Sequence, residues 1–166
     1  MDDVSPRDER APPTGAARWW GHAITIIAVA FATFHLYTAS FGILEGIQQR
    51  VIHLGFALVL IFLSRPLGRR RTPGPVDLLL IAATLAASVY LVYVDESLSL
   101  RMGIAYDRDI LLGTALVVVL LEATRRATGW ALPIIAAVSI AYAFAGPYLP
   151  RAIGHRGFGL EDVAVT

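Results

Sequence analysis

Leu67-Gly68-Arg69-Arg70-Arg71-Thr72-Pro73-Gly74-Pro75 is a Gly/Pro-rich turn carrying three consecutive arginines between two long apolar runs. A soluble core does not flank such a turn so closely with apolar sequence, whereas a bilayer protein does. Short loops rich in Arg stay on the cytoplasmic side, because the Lys/Arg bias sets orientation. Arg69, Arg70 and Arg71 are therefore the expected topology-setting residues, and the side of every other loop follows by counting spans outward from them.

Composition supports this setting. The 166-residue chain is 56% hydrophobic and only 16% charged, against about 45–50% and about a quarter for an ordinary soluble domain. Its net charge of +1 argues for no nucleic-acid partner, and the absence of Cys excludes disulfides and thiol chemistry.

Working outward, Val51–Leu63 is short for a span and extends to about 47–65, with Arg50 and Arg65 snorkelling outward. Pro66 and Gly68 then stop the helix. On the other side, Val76–Val94 is broken only by Asp77, an acid in a first helical turn where the macrodipole favours it. Upstream, Trp19–Leu44 is uncharged and opens on Trp19 and Trp20, residues suited to the interface. Downstream of the polar loop Asp95–Asp109, Ile110–Leu121 leads into Glu122, Arg125, Arg126 and Gly129. Trp130–Pro150 is again uncharged. Residues 109–148 are either two spans turning at Gly129 or one bent helix continuing through Pro133, and two is preferred because Glu122–Arg126 would otherwise lie at mid-membrane.

The expected fold is an all-α integral membrane bundle of about five transmembrane helices with a cytoplasmic N-terminus. The spans fall at about 20–44, 47–65, 76–94, 109–127 and 130–148. Residues 1–18 are expected as a disordered cytoplasmic tail, since they are polar and mixed in charge, and they do not read as a signal peptide. Residues 151–166 are expected as an extracytoplasmic tail, or the start of a further domain, with an amphipathic helix beginning near Leu160. In this reading all three inside segments are Arg-rich, which makes the count self-consistent.

Few residues invite chemistry. His35 and His53 fall on adjacent spans, with His22 near the start of the first. They are candidates for axial haem ligands, for a proton relay, or for an interhelical hydrogen bond. Glu122, Arg125 and Arg126 have i,i+3 and i,i+4 spacing, which suits a local ion pair at a helix end or a docking patch for another subunit. Asp77 reads as a helix cap, because a coupling-ion carboxylate belongs nearer the midplane. No span carries a charge at its centre, as a self-sufficient transporter would, and no phosphate loop, metal triad or nucleophile–base pair is present. Small residues in span three (Ala82, Ala83, Ala86, Ala87, Ser88) and span five (Ala136, Ala137, Ser139, Ala141) permit close helix packing.

Several stretches together carry a family resemblance: Arg50-Val51-Ile52-His53-Leu54-Gly55-Phe56, then Asp77-Leu78-Leu79-Leu80, then Leu121-Glu122-Ala123-Thr124-Arg125-Arg126-Ala127-Thr128-Gly129-Trp130-Ala131-Leu132-Pro133, then Gly146-Pro147-Tyr148-Leu149-Pro150 and His155-Arg156-Gly157. Over roughly Trp20 to Asp162 the chain resembles the N-terminal, small-subunit-like region of fused permeases of tripartite ATP-independent periplasmic (TRAP) transporters, of the TAXI type. The resemblance implies a non-catalytic scaffold in the bacterial inner membrane, beside a large permease domain or subunit. That large domain would take up organic acids or similar solutes, delivered by a periplasmic solute-binding protein and driven by an ion gradient. His53, Glu122, Arg125, Arg126, Trp130 and Pro133 would then be structural or interface residues, with no catalytic, substrate or metal site and no cofactor. The alternatives are a haem-binding electron carrier using His35 and His53, or the small subunit of another tripartite carrier.

Overall fold

The structure, a computed structural model, describes residues 15–42, 46–68, 72–100, 106–150 and 153–159. The described residues form five α-helices: α1 (Gly15–Phe41), α2 (Gly46–Ser64), α3 (Pro75–Leu100), α4 (Asp107–Thr128) and α5 (Ala131–Ala145), the last followed by a 3-10 turn at Gly146–Tyr148. The expected amphipathic helix near Leu160 and the arginines Arg69, Arg70 and Arg71 lie outside the described residues.

Two expected boundaries move outward. α1 begins at Gly15, inside the stretch expected as a tail, and α3 runs on to Leu100 through the first six of the fifteen residues of the expected polar loop. In both places polar residues extend a helix already nucleated by an apolar run, and no Gly or Pro intervenes before Gly103 to stop α3. Residues 109–148 are two helices. Gly129 ends α4 with φ of 85°, and its N–H donates to the Arg125 carbonyl at 3.0 Å. Few residues other than glycine adopt that backbone conformation. Pro133 falls in the first turn of α5, where its missing N–H costs no helical hydrogen bond.

α2, α3 and α4 make the centre of the bundle, while α1 packs on α2 and α5 on α4. The core is Leu58 and Phe62 of α2 against Val119 and Ala123 of α4, with Leu80, Ile81 and Ala83 of α3 closing over them. Away from it large apolar side chains face outward, among them Ile26, Leu36, Leu79, Val89, Leu111 and Val138, each more than half exposed. Four helices (18–41, 47–64, 75–94 and 131–148) are long and apolar enough to cross a membrane, the pattern of a multi-pass membrane protein. The fifth, α4, falls short of that pattern because it carries Asp107, Arg108 and Asp109 at one end and Glu122, Arg125 and Arg126 at the other.

The α2–α3 contact depends on small residues. Ala87 is buried, and a Cβ on Gly55 would stand 2.9 Å from the Ser88 Oγ. Gly55→Val should therefore destabilise the bundle by about 1–3 kcal/mol, the usual range for overpacking. A detergent-titration midpoint measures this, with Gly21→Ala as the control, since nothing lies within 4 Å of a Cβ there.

Candidate functional site

Two aspartates hold the bundle's ends by the same device. Asp77 is the third residue of α3, and its Oδ2 accepts the N–H of Gly74, the residue before Pro75, at 2.7 Å. Asp109 is the third residue of α4, and its Oδ2 accepts the Tyr106 N–H at 2.8 Å. Each thus satisfies a backbone donor left over at a helix start, the acidic half of a capping box. The other carboxylate oxygen of each reaches another helix. Asp109 Oδ1 accepts the Tyr90 hydroxyl of α3. Asp77 Oδ1 accepts Arg126 Nη1 of α4 at 2.6 Å, as well as the Leu67 N–H at 3.1 Å.

The Asp77–Arg126 end is the densest polar site among the described residues. Both side chains are removed from solvent, at 1% and 4% exposure. Arg126 also donates through Nε to Glu122 Oε1 at 2.8 Å and through Nη1 to the Arg65 carbonyl at 3.2 Å. Its guanidinium lies over the Phe62 ring at 5.0 Å, so the ring takes up one face of the buried charge. Arg65 returns the contact by donating to the carbonyls of Arg126 and Ala127 at 3.0 and 2.8 Å. Those are carbonyls at the end of α4 that no helical N–H reaches. The junction therefore fastens the end of α2, the start of α3 and the end of α4.

Arg125 faces the other way. It makes a two-pronged bond to Glu122, Nε to Oε2 at 2.7 Å and Nη2 to Oε1 at 2.8 Å, and lies 5.2 Å over the Trp130 ring. Glu122, Arg125, Trp130 and Pro133 line one shallow notch of about 320 Å³ between α4 and α5. Trp130 stays 64% exposed there. Of the six interface residues singled out from the sequence, Arg126 thus belongs to the interior junction, and Glu122, Arg125, Trp130 and Pro133 line the notch.

His53 stands apart, between α1 and α2. Its Nδ1 is 2.9 Å from His35 Nε2, and the two rings sit among Phe31, Phe34 and Phe56. The direct contact at 2.9 Å is the geometry of an interhelical hydrogen bond. Gln49 Nε2 to Thr38 Oγ1 at 3.4 Å adds a second polar tie between the same helices.

The tail forms a further junction. Residues 153–159 fold back over the end of α5, where His155 Nε2 meets the Tyr142 carbonyl at 3.2 Å. The N–H groups of Phe158 and His155 reach the carbonyls of Ala143 and Gly146 at 3.1 and 3.3 Å. Gly157 N–H donates to His155 Nδ1 at 3.0 Å, which leaves the proton of a neutral ring on Nε2, facing Tyr142.

The chain matches no known protein family, no curated protein and no solved structure. Its function is therefore read from its own residues.

Sequence reasoning placed Asp77 as a cap but did not find its partner, read Arg65 as snorkelling outward where it binds the carbonyls of α4, gave His155 no role beyond the resemblance, and passed over the pairing of Tyr90 with Asp109. Asp77 and Asp109 share a readable signal, an acid three residues into a helix behind a turn. Their partners lie 49 and 19 residues away and leave no local mark.

Proposed function

We propose that this chain is the small, non-catalytic membrane subunit or domain of a TRAP-type secondary transporter, scaffolding a large permease that takes up organic acids or similar solutes delivered by a periplasmic binding protein. The observation that carries the reading is where the resemblance residues fall. Asp77 and Arg126 tie helices together, His155 closes the end of α5, and Glu122, Arg125, Trp130 and Pro133 line an open notch. None of these seven residues lines an enclosed cavity; Arg50 and His53, also in the resemblance, border an open groove between α1 and α2. Ala137 and Ala141, exposed and one turn apart on α5, offer a small-residue strip on which a partner helix can approach closely.

The scaffold is read with five spans, N-terminus inside, in the bacterial inner membrane. α4 is tied to α3 at both ends, Asp109 to Tyr90 and Arg126 to Asp77, so it runs antiparallel along α3. Where α3 crosses a bilayer, α4 crosses beside it, its charges at its ends. Arg65, Arg125 and Arg126 then share the side of the Arg69–Arg71 loop. Because the chain has no Cys, single cysteines test this directly. Thr72→Cys and Thr128→Cys should react with an impermeant maleimide only after the inner face is opened, and Arg108→Cys in intact spheroplasts. Opposite sidedness of Thr72 and Thr128 would refute five spans.

Affinity purification of the tagged chain from its native membrane, followed by mass spectrometry, tests the role. A large multi-span permease should co-purify, or the tag should appear on a longer fused polypeptide. Recovery of the chain alone would count against the scaffold, and a Soret band in that sample would favour the haem carrier. The combined Arg125→Ala and Trp130→Ala change should reduce the co-purified permease several-fold. It should leave the stability of the chain within about 1 kcal/mol, the scale of exposed ion pairs. Unchanged permease yield would remove the notch from the interface.

A further inference from the structure

We propose that Gln49, Arg50 and His53, with His35 behind His53, bind an oxyanion, a carboxylate or a phosphate, between the end of α1 and the start of α2. This site is separate from the α4–α5 notch and does not rest on the scaffold reading. An open groove of about 580 Å³ there is lined by His35, Gln49, Arg50, His53 and Leu54. Among the described residues, its lining offers a guanidinium, an amide and two imidazoles, and no carboxylate. Arg50 is exposed, and no described residue pairs with its guanidinium, which keeps its planar fork of N–H donors available for bidentate contact with an oxyanion.

The histidine contact settles what the imidazoles present. With both rings neutral, the proton between His53 Nδ1 and His35 Nε2 leaves one outward N–H on the pair, whichever ring donates. When His35 donates, that N–H is Nε2 of His53, the exposed ring. Gln49 spends one amide hydrogen on Thr38 Oγ1 and keeps a second. Gln49 stands at the end of the first turn of α2 and Arg50 just after it, near the helix end where the dipole favours negative charge. Phe31 and Phe34 pack edge-on or tilted against the histidine rings, with Phe56 stacked on Phe31, and hold the pair in place. The volume exceeds that of a bare carboxylate or phosphate group and leaves room for an attached organic body.

Imidazole ring-proton shifts of the full chain, purified in an uncharged maltoside detergent, test the site. The probes are sodium acetate, inorganic phosphate, and phosphatidylglycerol added to the micelles. The expected result is a saturable shift of the His53 and His35 signals with at least one probe, while His22 and His155 stay unmoved. Arg50→Gln should weaken the apparent affinity about tenfold, the scale of one charge-assisted hydrogen bond. Gln49→Ala, which keeps the charge, should weaken it less and serves should Arg50→Gln fail to fold. A response to the free anions identifies a soluble ligand, and a response to phosphatidylglycerol alone identifies a lipid headgroup. Absence of any saturable shift, or equal affinity in both variants and the parent, would overturn the proposal.

Discussion

Asp77→Ala should destabilise the folded chain by about 3–5 kcal/mol, the usual consequence of removing one member of a buried ion pair. The loss has two parts. Arg126 would keep its charge in a position only 4% exposed, with Glu122 and the Arg65 carbonyl as its remaining acceptors. The N–H groups of Leu67 and Gly74 would lose the carboxylate that receives them, loosening the turn that carries the arginines. Unfolding in mixed micelles measures the effect, and a double-mutant cycle assigns it. Asp77→Leu combined with Arg126→Met should lose clearly less than the sum of the single changes, because the pair interacts directly. Additive losses would mean that the 2.6 Å contact contributes little and that Asp77 acts only on its own turn.

Gly146→Val should release the tail from the end of α5. A Cβ at Gly146 would lie 2.4 Å from two ring atoms of His155, a distance that real Cβ contacts do not show. His155 would have to leave, taking with it the donors to the carbonyls of Tyr142, Ala143 and Gly146. At about 1 kcal/mol for each of three hydrogen bonds, the local opening equilibrium should shift by about a hundredfold. Amide exchange at Phe158 and tryptic cleavage after Arg156 should accelerate together, while the Asp77 junction at the far end of α4 stays protected. His155→Ala removes only the ring contacts and should accelerate both by a smaller factor without adding bulk. If Gly146→Val accelerated neither, His155 would not be what holds the tail.

Both changes act through contacts beyond the reach of a helical turn, 49 residues apart at Asp77–Arg126 and 13 apart at Tyr142–His155, and this divides what could be read in advance. The apolar runs, the breaks at Pro66–Gly68 and Gly129, and the caps at Asp77 and Gly129 are local properties. A run of apolar side chains makes a helix of spanning length wherever it lies, and Gly129 supplies a positive φ without help from a neighbour. The all-helical architecture, its four strongly apolar helices and the turn between α4 and α5 were therefore legible. The ends of α1 and α3 were legible only approximately, because polar residues at a helix end are compatible with either helix or loop.

Tertiary packing decided which face of each helix meets which neighbour. His35 and His53 were both visible as intramembrane candidates, yet only the rotation and depth of α1 against α2 bring their nitrogens to 2.9 Å and make a hydrogen-bonded pair of them. Glu122, Arg125 and Arg126 read as one local cluster, and the packing of α4 on α2 and α3 split it, Arg126 inward to Asp77 and Arg125 outward to Trp130. The physical reason is one of range. Helix formation and termination depend on neighbours within about a turn. The pairing of buried polar groups depends on which distant donor can reach them, because an unpaired group away from water is costly.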